Sequence, residues 1–410
     1  MFDVAIVGAG AAGYFAAINI KLNAEDAKIV ILEKTTKTLS KVEVSGGGRC
    51  NVTHNEIDPT KLSENYPRGG KFLKSLFRKF GVAETIQWFK DHNVELKIED
   101  DGRMFPVSNT SETIVNLFES LAQKLGIEVW TKTGVVEISL ENNEIHTLQL
   151  SDNESIESKF VVLASGGLNK HDSANYLKNF DIQFEKSVPS LFTFNIRNTD
   201  LNVLSGISVK NGKVKIIGLK KSYSGPILVT HWGLSGPAVL KTSSWYASEL
   251  NEKGYHFDTL ISWIDYSTEE EALQELTEIL LESPKKQMNN LYLFDLPQRL
   301  WLFILASSKI DETKKCMDLK KAEINKLLEN LIRMPFTVIG KTTFKEEFVT
   351  AGGISLKEFD ENAMNLKKYP TIYAAGEMLN IDGVTGGFNF QSAWTTAWFA
   401  ANSIANKLKN

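Results

Sequence analysis

A chain of 410 residues with 42% hydrophobic and 23% charged residues has the make-up of an ordinary folded protein and is too long for one core, so two or three domains are expected. A formal net charge of −4 gives no overall attraction to nucleic acid or anionic membrane, which leaves such binding to a local basic patch. Two cysteines, Cys50 and Cys316, are too few for a disulfide framework or a zinc site, and no apolar run reaches the ~20 residues of a membrane span.

In chain order, an apolar strand from Phe2 to Val7 meets Gly8, Gly10 and Gly13 in G-x-G-x-x-G spacing, and a helix rich in small residues follows. A second apolar strand, Lys28 to Leu32, ends on Glu33. Strand, glycine turn, helix and acid in this order make the dinucleotide-binding unit. Gly8 permits the tight turn, Gly10 admits a pyrophosphate to the backbone, and Gly13 lets the helix lie close to the strand with its free N–H groups toward the phosphates. Glu33 is placed to accept hydrogen bonds from a ribose. A strand starting at residue 2 leaves no room for a targeting peptide, so a cytoplasmic setting is expected.

Just beyond the second strand, Ser45–Asn51 reads SGGGRCN. Three successive glycines free the backbone to approach a flat or phosphorylated ligand, with no packing role expected of them; Arg49 and Asn51 add a charge and an amide. A flexible loop is the alternative. Cys50 is either a thiol near the cofactor or a small packing residue.

Residues 71–93 read as helical, and a second helix runs from about Ser111 to Leu125. Short alternating strands follow, with turns at Asn-Asn and Asp-Asn, and FVVLASGG is an apolar strand that delivers Ala164 to a ligand at its carboxyl end. ASGGLN, Ala164–Asn169, lacks the spacing of a second dinucleotide fingerprint. The character changes near Val188-Pro189. Residues 190–260 are β-rich and 268–335 helical, with the acids of TEEEALQELTEILLE on a solvated face. YPTIYAAGE then restores the strand-to-glycine pattern, and a long terminal helix closes the chain. This predicts an α/β architecture: a Rossmann-type domain (parallel sheet with a β-meander) over 1–189 and 346–410, interrupted at 190–345 by a β-barrel-like plus helical domain.

Gly376–Gln391, GEMLNIDGVTGGFNFQ, ends where the terminal helix starts. The helix N-terminus carries about half a positive charge. Aimed at the pyrimidine edge of a flavin, it would stabilise charge gathered there, with Gly386, Gly387, Phe388 and Asn389 as N–H donors and Asp382 as a polar contact. Simple helix capping is the alternative.

Together GAGAAG (Gly8–Gly13), SGGGRCN, THWGLSGPAVL (Thr230–Leu240), FVTAGGIS (Phe348–Ser355) and AAGEMLNIDGVTGGFNFQSAW (Ala374–Trp394) resemble the BaiN/RdsA-like family of bacterial NAD(P)/FAD-dependent oxidoreductases over essentially the whole chain. The resemblance implies FAD as cofactor, a split FAD domain and an inserted barrel-and-helix domain. It implies FAD contacts at Gly8, Gly10, Ala12, Gly13, Glu33, Arg49, Asn51, Gly376, Asp382, Gly387 and Asn389, with a backbone contact to the adenine at Val136. Lys34, Lys41, Ser45, Gly46, Gly47, Cys50, Ala164, Glu377, Gly386 and Phe388 complete the candidate cofactor-binding set. At Ala363–Lys367 the chain reads AMNLK where the family tends to TMESK, which touches substrate-side contacts rather than FAD.

The resemblance also points to reduction of a carbonyl-conjugated C=C bond, on a small enone or on uridine in ribosomal RNA, giving dihydrouridine. Such a site needs a donor to the carbonyl oxygen and an acid for carbon. His231 is the leading candidate, with Cys50, Thr230 and Ser235 behind it; a structural histidine in a core-like setting is the alternative. NAD(P)H would be a transient reductant, since no second fingerprint is present. No Ser-His-Asp order, metal cluster or P-loop appears, and neither DNA nor membrane is an expected partner. For RNA, Arg68, Lys71, Lys74, Arg78 and Lys79 beside Phe72 and Phe77, or the run Lys210, Lys213, Lys215, Lys220 and Lys221, could hold phosphates. A non-catalytic or electron-transfer flavoprotein working with a protein partner is the other class.

Overall fold

The first apolar run forms β1 (Phe2–Val7), paired in parallel with β2 (Ile29–Leu32). A small antiparallel sheet follows from β3 (Thr53–His54), β4 (Leu96–Ile98) and β5 (Arg103–Pro106). The chain then returns to the first sheet, where β6 (Glu128–Trp130) joins β2 in parallel and β7 (Val135–Glu141) pairs antiparallel with β8 (Ile145–Leu150). Strand β9 (Ser155–Leu163) has two characters. Its alternating first half pairs antiparallel with β8, and its apolar second half lies in parallel beside β1. That is the sequence signature of a strand passing from a solvated meander into a sheet covered on both faces. The computed structural model describes residues 1–141, 145–168, 174–197, 199–291, 293–342 and 349–409. The Asn-Asn turn, Asn169 and Phe348 therefore lie outside the described residues.

The chain divides into two units, Met1–Ser190 with Phe344–Asn410, and Leu191–Thr343. In the first, β10 (Phe184–Ser190) is the last strand before the division. In the second, β11 (Thr193–Ile196), β12 (Ser208–Ile216), β13 (Ser222–Thr230), β14 (Gly233–Ser235), β15 (Phe257–Ser262) and β16 (Met334–Thr342) close a barrel in the order β11-β14-β13-β12-β15-β16. Helices Glu269–Glu282, Gln298–Ser307 and Lys321–Ile332 fall between β15 and β16 and bury Leu276, Leu300, Trp301, Ile304 and Leu331 with the barrel interior. Back in the first unit, β17 (Val349–Ile354) pairs antiparallel with β10, and β18 (Ile372–Ala374) adds to β9 in parallel.

Two local readings change. Residues 71–93 are not one helix but Gly70–Phe77 and Val82–Asp91, broken at Gly81. A Cβ at Gly81 would fall 2.6 Å from the Phe77 carbonyl oxygen, so the chain turns there on a residue without one. And Met334–Thr342, whose burial alternates, is the strand that closes the barrel; its pattern was hidden behind the helical run before it.

The first helix, Ala11–Asn23, is buried from Ala12 to Ile20, which is why its sequence is small and apolar all round. Phe15 sits among Trp88, Phe118 and Trp394, with ring centroids 4.6, 6.5 and 5.3 Å away. This aromatic cluster anchors the helix beside the terminal helix Phe388–Lys409.

His146, wholly buried on β8, holds among the described residues only Thr371 Oγ1, at 2.8 Å through Nε2, and burial lowers its pKa from 6.5 to about 4. The unfolded chain takes up a proton at this ring near pH 6.5, the folded one only near 4. Stability is therefore complete above about pH 6.5 and drains as pH falls toward 4, by about 3 kcal/mol. Thermal melts of the parent and of His146→Asn across that range should converge toward low pH; parallel curves would refute the assignment.

Candidate functional site

At the carboxyl ends of β1 and β9 the backbone is packed to its limit. Gly8 has φ +111°, and a Cβ there would lie 2.5 Å from the Ala164 carbonyl oxygen. A Cβ on Gly13 would lie 2.0 Å from the Gly8 oxygen. Gly10 is different: it caps the first helix with no side-chain partner, and a Cβ there would meet nothing within 4 Å. Gly376, at φ +69°, brings its own backbone against Ala12, where a Cβ would sit 3.0 Å from the alanine methyl. Glu33 turns back onto the same turn, accepting hydrogen bonds from the N–H of Ala9 at 3.1 Å and of Thr35 at 2.9 Å. Gly8, Gly10, Ala12, Gly13, Glu33, Ala164 and Gly376 thus gather around one open-sided turn. Lys34 is exposed beside Gly134, and Val136 is exposed where the pairing of β7 skips from Val135 to Glu137.

The SGGGRCN segment is a kink in helix Ser40–Gly48, with Gly46, Gly47 and Gly48 at φ +59°, +69° and +81°. Gly47 and Gly48 border open space. Gly46 has the packing role the sequence denied it: a Cβ would stand 2.9 Å from the Phe105 ring. Arg49 lies over that ring at 4.0 Å and binds Glu99 at 2.6 Å, so its charge is already matched. Ser45 Oγ donates to the Val42 carbonyl. Cys50 is fully buried, and burial pushes its thiol up to about 12. It is a neutral packing group at a φ of +57° rather than a thiolate nucleophile. Lys41 pairs with Glu377 at 2.5 Å, and the same carboxylate accepts the Gly167 N–H at 3.3 Å.

The Gly376–Gln391 segment is clamped from several sides. Gly387 (φ +95°) would place a Cβ 2.4 Å from the Thr53 oxygen and 2.9 Å from Asn51 Oδ1, and Gly386 (φ +129°) 3.0 Å from the Phe388 ring. The Asn389 side chain closes the loop on itself, accepting from Gly383 N–H at 2.8 Å and donating to Gly383 O at 3.0 Å. Tyr66 donates to the Phe388 carbonyl at 2.7 Å. Asp382, read from sequence as a cofactor contact, is wholly buried and engaged by Arg68 through two hydrogen bonds and by Ser190 at 2.9 Å. Arg68, read as a phosphate holder, is accordingly a structural cation. Phe72 and Phe77 are buried too, leaving Lys71, Arg78 and Lys79 exposed and Lys74 half-buried with neither ring accessible beside them.

Sequence reading missed His54, whose ring stacks on Phe388 at 4.7 Å while Nε2 meets Asp101 O at 3.1 Å. It also missed Gln391, buried and bonded to Thr53 Oγ1 at 2.6 Å. The signal for both was proximity in sequence to Asn51 and Asn389. His231 belongs to the barrel unit, where the turn is His231–Trp232 and Gly233–Ser235 is β14 rather than a loop. It is exposed at a hairpin tip, not core-like; Thr230 Oγ1 donates to Gly233 O at 3.1 Å behind it, and Ser235 is half-buried.

The first unit's residues fit a dinucleotide. Of the three glycines of the turn only Gly10 borders open space, uncapped helical N–H groups stand behind it, and the glycine loop opens at Gly47 and Gly48.

The family model described as HI0933-like protein Rossmann domain matches residues 2–403. A Haemophilus influenzae protein named ribosomal RNA dihydrouridine synthase is 27% identical, over 98% of this chain and 98% of that one. A Clostridium scindens protein named 3-dehydro-bile acid delta(4,6)-reductase is 23% identical, over 99% and 100%. The solved structure of 3-ketosteroid-delta4-(5alpha)-dehydrogenase from Rhodococcus jostii shares the fold at TM-score 0.52 and 14% identity, over 98% of this chain and 96% of that one.

Proposed function

The chain belongs to the HI0933-like Rossmann-domain family of FAD-dependent oxidoreductases, and on that premise we propose that it reduces a carbonyl-conjugated C=C bond, with uridine in ribosomal RNA as substrate and dihydrouridine as product. The observation that carries the reading is the glycine turn that opens at Gly10, with Glu33 folded beside it, in a chain matched over 98% of its length by a protein named ribosomal RNA dihydrouridine synthase. Gly10 and the first N–H groups of the helix would hold the pyrophosphate on a turn that Gly8 and Gly13 pack, and Glu33 would hold the ribose, giving up its bond to Ala9 to do so. The loop Asp382–Asn389 would present the start of the terminal helix to the pyrimidine edge. FAD, when bound, supplies hydride transfer at N5. NAD(P)H is the proposed reductant, visiting transiently.

The chain's own part is to orient the uracil, donate to its C4 oxygen and deliver a proton. His231 is the proposed donor because its ring is exposed, whereas Cys50 is sealed and fixed as a packing group. A small steroid-like enone is the second reading, favoured by the full-length match to a bile-acid reductase.

Nucleoside mass spectrometry of ribosomal RNA from cells with and without the gene is the test. Loss of dihydrouridine on deletion, restored by the intact gene, is expected. An unchanged level would refute the RNA substrate, and turnover would then be sought with conjugated enones.

A further inference from the structure

The charges of the barrel unit are segregated along the chain. From Leu201 to Ser248 there are six lysines, at 210, 213, 215, 220, 221 and 241, and no aspartate or glutamate. With 50 acids in 410 residues, a stretch of that length would hold about six. In the helical half of the same unit acids are interspersed and three cations are paired: Lys314 with Glu323, Lys326 with Glu329 and Arg333 with Glu269, at 2.6–2.8 Å. In the hairpin β12–β13 and the helix Pro237–Trp245, among the described residues, no ion pair holds any lysine. Lys213 instead lies over the Tyr266 ring at 4.6 Å.

Where the hairpin meets that helix, aromatic rings stand among the free ammonium groups. Tyr223 and Trp245 stack at 5.9 Å with an interplanar angle of 11°, and Tyr246 meets Tyr223 edge-on at 5.9 Å. Lys221 Nζ is 5.7 Å from the Trp245 ring and Lys241 Nζ 5.9 Å from the Tyr223 ring. The Tyr246 hydroxyl accepts the Lys221 N–H at 2.8 Å and donates to the Lys221 carbonyl at 3.2 Å, which fixes the hairpin loop against the rings. All three rings are half-buried, so they are rigid yet partly open. Glu249 is an acid near Tyr223, at the margin of the cluster.

We propose that this hairpin and helix form a docking face for single-stranded or loop RNA, with the lysines on phosphates and the Tyr223–Trp245–Tyr246 cluster receiving an unstacked base. The proposal rests on the RNA reading above and assigns it a surface. Lysine charge with stackable rings is the pairing that single-stranded nucleic acid requires, since every base offers a π-face and every linkage a charge. An acidic protein would use the lysines and leave the rings idle.

Two variants of the FAD-loaded protein separate the parts: Lys220→Gln with Lys221→Gln and Lys241→Gln, and Trp245→Leu. Binding to a fluorescein-labelled single-stranded RNA of about 20 nucleotides is read by anisotropy over a range of salt concentrations. The triple variant should flatten the log K against log salt slope by about 2, from roughly 0.7 per lost phosphate contact. Trp245→Leu should weaken binding about ten-fold at fixed salt with the slope kept. Should the tryptophan variant misfold, the surface triple variant still decides. Unaltered RNA binding by the triple variant overturns this face while leaving the substrate reading intact. An intact protein that binds no RNA at low salt overturns both. Equal loss of poly-glutamate or anionic-vesicle binding, with Trp245→Leu silent toward RNA, overturns the base-stacking assignment.

Discussion

Gly13→Ala is expected to purify without flavin and with a melting temperature many degrees below the parent. Its new methyl would lie 2.0 Å from the Gly8 carbonyl oxygen and 3.4 Å from Ile6 Cγ2. Neither neighbour can yield. Gly8 is held by its N–H bond to Leu32 O at 2.8 Å, and Ile6 is fixed in β1 between β2 and β9. The first helix would have to lift from the sheet, but Phe15 locks it among Trp88, Phe118 and Trp394. Overpacking against backbone of this kind costs about 3 kcal/mol or more. Gly10→Ala is the control. It has an ordinary φ of −92° and nothing within 4 Å of the added carbon, so the fold should be unaffected to within ~1 kcal/mol. If a pyrophosphate lies over Gly10, this variant should nevertheless lose FAD, measured as the 450 nm absorbance retained per protein and by titration of FAD into apoprotein. A Gly10→Ala protein that keeps its FAD affinity would displace the phosphates from this turn; a Gly13→Ala protein that melts with the parent would contradict the packing.

The contrast between these glycines shows what was legible in the sequence. G-x-G-x-x-G spacing carries both meanings at once, and only the structure separates the packed pair, Gly8 and Gly13, from the open one, Gly10. Apolar strands ending in glycine were readable because burial on both faces removes alternation, as in β1 and the second half of β9. Signals that need partners far apart in the chain were not readable. Arg68 and Asp382 are 314 positions apart, so each looked like a free charge available to a ligand. His231 carried no sequence sign that the turn would fall at His231–Trp232 and expose it. The break at Gly81 was masked because mostly apolar residues at helical spacing recur on both sides of it, Phe72, Leu76 and Phe80 before it and Thr85, Trp88 and Phe89 after it. Barrel closure by β16 was missed for a related reason: a strand that completes a sheet after a long helical excursion has no local cue to its partners.

Arg68→Ala should be nearly as damaging as Gly13→Ala, and by an electrostatic route. The substitution leaves the wholly buried Asp382 carboxylate with Ser190 Oγ at 2.9 Å and without the guanidinium that matches its charge. Removing one member of such a pair costs about 3–5 kcal/mol. The damage should spread into the Asp382–Asn389 loop, proposed to face the cofactor, because the 65–69 segment and the 381–384 segment are built against each other. Val384 N–H donates to Asn65 O at 2.9 Å, and a Cβ on Gly69 would fall 2.5 Å from Ile381 Cγ1. Burial already raises the Asp382 pKa above 3.8, against the lowering pull of Arg68 and Ser190. Without Arg68 it rises further, and the sign of the pH dependence follows. A carboxyl that holds its proton more tightly folded than unfolded favours the fold below the unfolded pKa and loses that advantage as pH rises through the folded one. The deficit of Arg68→Ala should therefore shrink on acidification, in thermal melts referred to the parent at each pH. The double variant Arg68→Met with Asp382→Leu removes both charges and should recover most of the stability, since a buried ion pair replaced by apolar groups is often neutral. Its FAD affinity then isolates the loop's contribution: full recovery of both properties would make the pair a matter of stability alone, whereas recovered melting with weakened FAD binding would show that the pair sets the position of the Asp382–Asn389 loop. A pH-independent deficit in Arg68→Ala would mean that Asp382 has found another cation, and the buried-charge account would fail.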